Sequence, residues 1–304
     1  MRFAITGAFG FVGQWIVDEF VNNDIDVVAL VRSSRDLPDR WKSKVQVIEC
    51  SLEQLSNINE NEFGDRPIDL FFHFAWEGTA GNSRADIPLQ LNNVQYTCDA
   101  VRLASKLNCR RFVNAGSIME YEAMKYIPMD SITPGLSNIY SVAKMTADFM
   151  AKTVATNVGI EYVNVIISNI YGSGEKSARF LNTVLRKMIH NEDIPLTHGE
   201  QMYDFIYASD AAKAIYLAGL CGKNNSTYYI GSGQQKKLKE FVMQMKQITN
   251  SESRLLFGEV PFNGAMLTYK EFDTEKVRME IGFEPYISFE EGIKRTLEGI
   301  LKEQ

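Results

Sequence analysis

The spacing Tyr-x-x-x-Lys occurs twice, at Tyr121/Lys125 and at Tyr140/Lys144. A phenol with a pKa near 10 is a poor base at neutral pH. A nearby ammonium favours the phenolate, and each pKa unit corresponds to about 1.4 kcal/mol. Side chains four residues apart on a helix share one face, about 5–6 Å apart at Cβ, so such a pair can exchange a proton with a hydroxyl or a carbonyl. Tyr121 leads into Pro128 and Pro134, where no sustained helix is expected. Tyr140 opens a run of strong helix formers, so Tyr140 and Lys144 are the predicted catalytic pair. Ser117 follows the predicted strand 111–115 and would hold the reacting oxygen, because sites of parallel sheets lie at the carboxyl ends of the strands. The plainer alternatives are a turn serine and a half-buried helix tyrosine.

A second group of residues supplies a partner for that chemistry. Gly7-Ala8-Phe9-Gly10-Phe11-Val12-Gly13 follows a predicted strand and opens an amphipathic helix. Gly7 permits the tight turn, Gly10 lets the backbone approach a pyrophosphate, and Gly13 allows close helix–strand packing. The amides at the helix start then hold phosphates. The spacing is GxxGxxG and points to a dinucleotide. An acid at the end of the second strand would meet the ribose of NAD, but Val31 is followed by Arg32 and Ser33. A guanidinium suits a 2′-phosphate, so NADP(H) is preferred and NAD(H) is the alternative. Read plainly, Arg32 is a solvated charge at a strand end.

The elements that position these residues are legible as a rhythm. Predicted strands at 2–6, 27–31, 45–48, 69–74, 111–115 and 161–168 alternate with helices at 12–22, 89–108 and 139–157, the pattern of a parallel sheet covered on both faces. Beyond residue 171 the elements shorten: 177–191, 205–208, 210–220, 228–230, 238–249 and 289–303. The expected fold is α/β, a doubly wound parallel Rossmann sheet with a smaller, partly interleaved C-terminal substrate lobe. The dinucleotide domain is placed at 1–170 plus about 205–232, and the substrate lobe at 171–204 and 233–304.

Composition bounds the function. The 304 residues are 45% hydrophobic and 23% charged, with a formal net charge of −6. These are ordinary values for a globular chain, and the balance gives no basic footprint for nucleic acid. No apolar run approaches the roughly 20 residues that span a bilayer, and no secretory h-region precedes the first glycine, so no membrane partner and a cytoplasmic location are expected. Cys50, Cys98, Cys109 and Cys221 are scattered and read as reduced thiols. His73 lies in an apolar strand and reads as structural; His190 and His198 are isolated, so no metal site is expected. Residues 236–239 read as a solvated helix start.

Taken together, these motifs resemble the extended short-chain dehydrogenases/reductases of the NAD-dependent epimerase/dehydratase family. The resemblance runs through nearly the whole chain: the Gly7–Gly13 turn, Phe72-His73-Phe74-Ala75, Asn93-Val94, Ser117, Tyr140-Ser141-Val142-Ala143-Lys144, Asn169-Ile170-Tyr171-Gly172, Asp204-Phe205-Ile206-Tyr207 with Asp210, Tyr229-Ile230-Gly231-Ser232-Gly233 and Phe289-Glu290-Glu291-Gly292. It implies that Phe74, Ala75, Trp76 and Asn93 line the cofactor, with Ser33, Ser51, Leu52 and Ser168 completing that set beside Tyr140 and Lys144. Asn169 would touch the substrate, with Met119, Arg179 and Tyr203 beside it. It also implies a homodimer pairing the helices at about 89–108 and 139–157, and a small-molecule substrate, a nucleotide sugar.

Departures from the family pattern narrow the reaction. Family dehydratases carry Asp-Glu after the catalytic hydroxyl; here Ile118 and Met119 follow Ser117. Family 3,5-epimerase/reductases place a cysteine two residues after the serine and a later histidine; here Met119 and Ser173-Gly174-Glu175 stand instead. The expectation is a reductase of a 4-keto-sugar using NADPH, with an NAD-dependent 4-epimerase as the alternative. A redox sensor without turnover is the reading from another class, and the intact Tyr140/Lys144 pair speaks against it. The arginines that usually meet the substrate diphosphate are replaced by Tyr203 and by Val260-Pro261-Phe262-Asn263-Gly264, so either Arg179, Arg84 or Lys187 substitutes or the substrate is not a standard nucleotide diphosphate sugar. Ser51 replaces the usual adenine-reading Asp.

Overall fold

The computed structural model describes residues 1–127 and 134–302. Seven strands form one parallel sheet: β1 (Arg2–Thr6), β2 (Asp26–Val31), β3 (Val45–Glu49), β4 (Leu70–His73), β5 (Arg111–Ser117), β6 (Glu161–Ile167) and β7 (Ser226–Ile230), in the order β7-β6-β5-β4-β1-β2-β3. The inner strands are runs rich in Val, Ile and Phe buried on both sides, as a sheet covered on both faces requires, while the edge strand β3 exposes Gln46 and Glu49. Alternate residues serve opposite faces. Phe3, Ile5 and Phe72 pack with Ile16, Val17 and Phe20 of α1 (Phe11–Asn22). Ala4, Phe71 and Phe112 pack with Val101 and Ala104 of α2 (Ile87–Lys106) on the other face. The strand order reverses between β1 and β4, where a crevice opens at the carboxyl ends.

Four further helices frame the site: α3 (Met119–Tyr126), α4 (Asn138–Val158), α5 (Phe180–Ile189) and α6 (Ala208–Cys221). Ala151 and Ala155 of α4 join α2 on one face, and Ala211, Ala214 and Ile215 of α6 join α1 on the other. A second core gathers Leu181, Leu185 and Met188 of α5, Phe241 and Met245 of α7 (Leu238–Thr249), and Phe289, Ile293 and Ile300 of α9 (Phe289–Lys302). Between the last two helices lies α8 (Glu275–Ile281), whose Val277 and Ile281 pack into the first core.

The structure differs from the sequence reading at definite places. Residues 119–126 form a helix despite the prolines that follow; Pro128 itself lies outside the described residues. Tyr121 stacks on Tyr229, and Lys125 pairs with Glu271, so contacts with distant residues stabilise the short helix. β5 runs two residues further than expected, making Ser117 its last residue. The 236–239 segment does start a helix, α7, with the exposed Lys237 as its N-cap, but it also carries pairings that were not foreseen. Lys236–Lys237 pairs antiparallel with Met202–Tyr203, and Lys237 and Lys239 both pair with Glu200. Ile194–Leu196 with Leu255–Phe257, and α8, were not foreseen.

Candidate active site

The glycine turn joins β1 to α1 at the reversal point. Gly7 has φ +77°, and a Cβ there would meet the Phe74 and Ala75 backbone at 2.7 Å. A Cβ on Gly13 would overlap the Gly7 carbonyl oxygen. Gly10 donates its N–H to Gly7 O at 3.0 Å and caps α1 without any side-chain bond, and the first turn holds no acid. The amides of Phe11, Val12 and Gly13 therefore open α1 at a positive helix end suited to an anion.

From this turn a cleft of about 410 Å³ extends over the sheet edge. Gly7, Gly10, Arg32, Ser33, Leu52, Phe74, Ala75 and Trp76 border it, as expected, together with Arg35 and Glu77. Arg32 is exposed and pairs with Glu77 at 3.5 Å. Three expected cofactor contacts stand elsewhere. Ser51 binds Gln54 Oε1 through both its amide, at 2.9 Å, and its hydroxyl, at 3.0 Å, so its neighbours Cys50 and Leu52 form the wall. Asn93 is buried and spends its amide on the Glu77 backbone: it accepts from Glu77 N and donates to Glu77 O, both at 2.9 Å. It fixes the cleft loop, and its Nδ2 is shared between the Glu77 and Leu89 carbonyls. Ser168 follows β6, donating its amide to Ile230 O at 3.0 Å, away from the cleft walls.

Trp76 links the cleft to the predicted pair. Its Nε1 donates to Gln90 Oε1 at 2.9 Å, its ring lies edge-on to Tyr140, and the Lys144 ammonium sits 3.8 Å above it. Tyr140 and Lys144 share a face of α4, and both are buried. Lys144 Nζ donates to Ala115 O at 2.8 Å. Burial pushes its pKa below the ordinary lysine value, with the Glu120 charge opposing. Lys144 directs its ammonium to the Ala115 carbonyl and not to the Tyr140 hydroxyl. Burial raises the Tyr140 phenol, and the groups that counter it are the Ser117 hydroxyl, Arg84 and Arg179. Ser117 sits where expected, at the end of β5 beside Tyr140.

Two acids at this site escaped the sequence reading. Glu120 is buried and accepts the Ser117 N–H at 2.7 Å; burial raises its pKa, with Asp148 adding to the shift. Glu122 accepts the Ala265 N–H at 2.9 Å. Both lie on α3, the helix that sequence reasoning did not expect, and a Glu-x-Glu on an exposed-looking segment carries no signal of burial. His73 is structural as read: its Nδ1 is 2.9 Å from Thr6 Oγ1 and its Nε2 3.4 Å from Thr97 Oγ1.

Beyond Ser117 a cavity of about 80 Å³ is lined by Met119, Asn169 and Tyr203, as expected, and by Glu122, Gln201 and Phe262. The two aromatic replacements, Tyr203 and Phe262, thus meet at one cavity, and no Lys or Arg lines it. Arg179 lies at the start of α5, half exposed, 3.8 Å from Glu175. Lys187 is not a substitute: it lies on a separate surface pocket with His190, its Nζ 3.4 Å from Asp193 O. Among the described residues no cluster of His, Cys, Asp or Glu is placed to hold a metal, and no helix is long and apolar enough to cross a membrane.

A doubly wound parallel sheet, a glycine turn at its reversal point and a Tyr-Lys pair beside Ser117 define a dinucleotide-dependent oxidoreductase of the extended short-chain type. The model of the NAD dependent epimerase/dehydratase family matches residues 3–231, and the chain belongs to that family. It is 24% identical over 300 residues to a CDP-abequose synthase of Salmonella muenchen, with 97% of each chain covered. It is 23% identical over 342 residues to dTDP-glucose 4,6-dehydratase 1 of Escherichia coli, covering 99% of this chain and 93% of that one. The structure of the UDP-glucose 4-epimerase of Thermotoga maritima with UDP-glucose superposes with a TM-score of 0.82 at 20% identity, over 100% of this chain and 99% of that chain. The protein is an NAD-dependent enzyme of the nucleotide-sugar epimerase/dehydratase type.

Proposed function

We propose that the enzyme reduces a nucleotide-linked 4-keto-sugar with NADPH, Tyr140 donating the proton. The observation that carries the reading is the joint placement of Ser117 at the carboxyl end of β5 and of Tyr140 and Lys144 in the first two turns of α4, next to the cleft that the glycine turn opens. Residues 1–170 with about 205–232 hold the dinucleotide, and residues 171–204 and 233–304 hold the sugar. The dinucleotide, when bound as NADPH, would supply the hydride for the keto carbon. The Ser117 hydroxyl holds the keto oxygen, the Tyr140 hydroxyl passes its proton to that oxygen, and solvent returns a proton to Tyr140. The absence of the Asp-Glu pair of family dehydratases after Ser117 argues against water elimination. Arg32, Ser33 and Arg35 at the cleft mouth suit a 2′-phosphate, which favours NADPH.

A second reading rests on Glu77. Its carboxylate faces Arg32 across the cleft mouth at 3.5 Å, an arrangement that also suits the ribose hydroxyls of NAD and hence a 4-epimerase that regenerates its cofactor. We also propose that the enzyme is a homodimer, supported by the exposed apolar side chains Leu91 of α2 and Val142, Phe149 and Met150 of α4.

The test is incubation with NADPH and a panel of 4-keto-6-deoxy nucleotide sugars, following the nicotinamide absorbance. Consumption is expected. Isomerisation of UDP-sugars without net consumption would establish the epimerase instead. Tyr140→Phe should abolish turnover and leave NADPH binding intact; a sensor has no turnover to lose.

A further inference from the structure

Arg84 lies on the short turn Gly81–Ala85 that precedes α2. Its guanidinium carbon sits 4.4 Å from the centre of the Tyr140 ring. Nε and Nη2 are buried and have no hydrogen-bond partner, and no carboxylate within the described residues pairs with it. The residue as a whole is half-buried, with these two nitrogens turned inward. Its charge faces the Tyr140 ring and, without an ion-pair contact, the Glu122 carboxyl. Lys144 is placed differently. Its ammonium is directed to Ala115 O and to the Trp76 face.

We propose that Arg84 is the positioning residue that sets the acidity of Tyr140, standing over the phenol and stabilising its anionic form during proton transfer. With a neutral phenol the contact is cation–π attraction. When Tyr140 releases its proton the same contact becomes an attraction between opposite charges, so the guanidinium favours the phenolate differentially. Every charged neighbour bears on this balance. Arg179, before α5, adds to it; Glu120 of α3 opposes it; the Ser117 hydroxyl of β5 supports it; Lys144 lies one turn along α4. Arg84 itself faces Glu122 and Tyr203 at the neighbouring cavity. The proposal rests on Tyr140 being the proton donor, but its measurement needs no sugar.

The experiment replaces Tyr140 with 3,5-difluorotyrosine, whose lower intrinsic pKa brings the transition into an accessible range. Its fluorine NMR signal is followed against pH in the full chain, and the signal stands apart from the unlabelled tyrosines. Arg84→Met should move the midpoint up by about one pH unit, and Arg84→Lys should restore at least half of that shift. Arg84→Gln is the second variant if Arg84→Met does not fold, with the same expected direction. Dinucleotide affinity should stay unchanged, because Arg84 does not border the cleft. Coincident midpoints in the Arg84 variants and the parent would overturn the proposal. So would an equal shift in Arg84→Lys and Arg84→Met, which would mark loss of packing rather than of charge. Failure of the sugar panel with a clear midpoint shift would count against the substrate assignment and not against Arg84.

Discussion

The Lys144 ammonium sits 3.8 Å above the Trp76 ring, and this contact makes the helix of the catalytic pair and the loop of the dinucleotide cleft one packed unit. Trp76 is fixed in turn by Gln90 at 2.9 Å, and the adjacent Glu77 backbone by Asn93. A ligand that presses on the cleft loop therefore presses on Lys144. Fully desolvated cation–π contacts contribute about 2 kcal/mol. Trp76→Ala should admit water to Lys144 and remove one wall of the cleft, lowering NADPH affinity about tenfold, or about 1.4 kcal/mol. Trp76→Phe keeps an aromatic face and should lose much less. Fluorescence titration of both variants checks this; equal losses would show that the indole N–H bond to Gln90, not the ring face, is what matters.

Glu120 makes a second prediction, with a defined sign. Burial raises its carboxyl pKa above the ordinary value of 4.5, so the folded state favours the protonated form. Its contribution is fully present below about pH 4.5 and is lost as pH rises through the folded-state value. Glu120→Gln keeps an acceptor for the Ser117 amide and cannot ionise. The melting temperature of the variant relative to the parent should therefore climb between pH 5 and pH 9. A stability difference that is flat with pH would show that Glu120 ionises in the folded enzyme as readily as in the unfolded chain.

Much of this site was legible because the chemistry is local. The glycine turn, the strand-and-helix alternation and the four-residue spacing of Tyr140 and Lys144 all act within a few residues, where periodicity and turn geometry speak directly. What escaped acts across the chain. Met119–Tyr126 is helical because Tyr121 meets Tyr229 and Lys125 meets Glu271, contacts that no local pattern encodes. The three-residue pairing of Ile194–Leu196 with Leu255–Phe257 is too short to show a period. Ser51 and Asn93 carry side chains able to meet a cofactor, but the turn at Gln54 and the Glu77 backbone take up their hydrogen bonds. The reach of Lys144 to Ala115 O, rather than to Tyr140, is likewise a matter of tertiary placement.

His73 predicts an acid-side loss of stability. It is wholly buried between Thr6 and Thr97, and burial, with the Lys144 charge adding, holds its pKa down at about 3. The unfolded chain binds this proton near pH 6.5 and the folded one does not, so stability is fully present above about 6.5 and falls as pH drops towards 3. The slope is about 1.4 kcal/mol for each pH unit in that window. Urea denaturation at pH 7.0, 6.0 and 5.0 should show it. In His73→Phe the same series should be flatter by about that amount per unit, whatever the variant's stability at pH 7. An unchanged slope in the variant would place the acid sensitivity elsewhere.

The outer face of α2 and α4 carries the last prediction. Leu91 is 59% exposed, Val142 49%, Phe149 63% and Met150 50%. Contiguous apolar surface of this kind on two neighbouring helices marks a contact face, and a two-fold axis between them would bring each pair onto its copy in the partner, an isologous interface. A stable interface of standard size covers about 800 Å² on each partner, which two helices of 20 and 21 residues can supply. Phe149 lies one residue beyond Asp148, which accepts from Tyr162 at 2.8 Å, so its backbone is anchored while its ring points outward. The enzyme should sediment as a dimer. Phe149→Glu would bring two like charges together at such an interface and should shift it to monomer at micromolar concentration, with dinucleotide affinity unchanged because Phe149 does not border the cleft. Sedimentation of the unmutated chain as a monomer would remove the assignment.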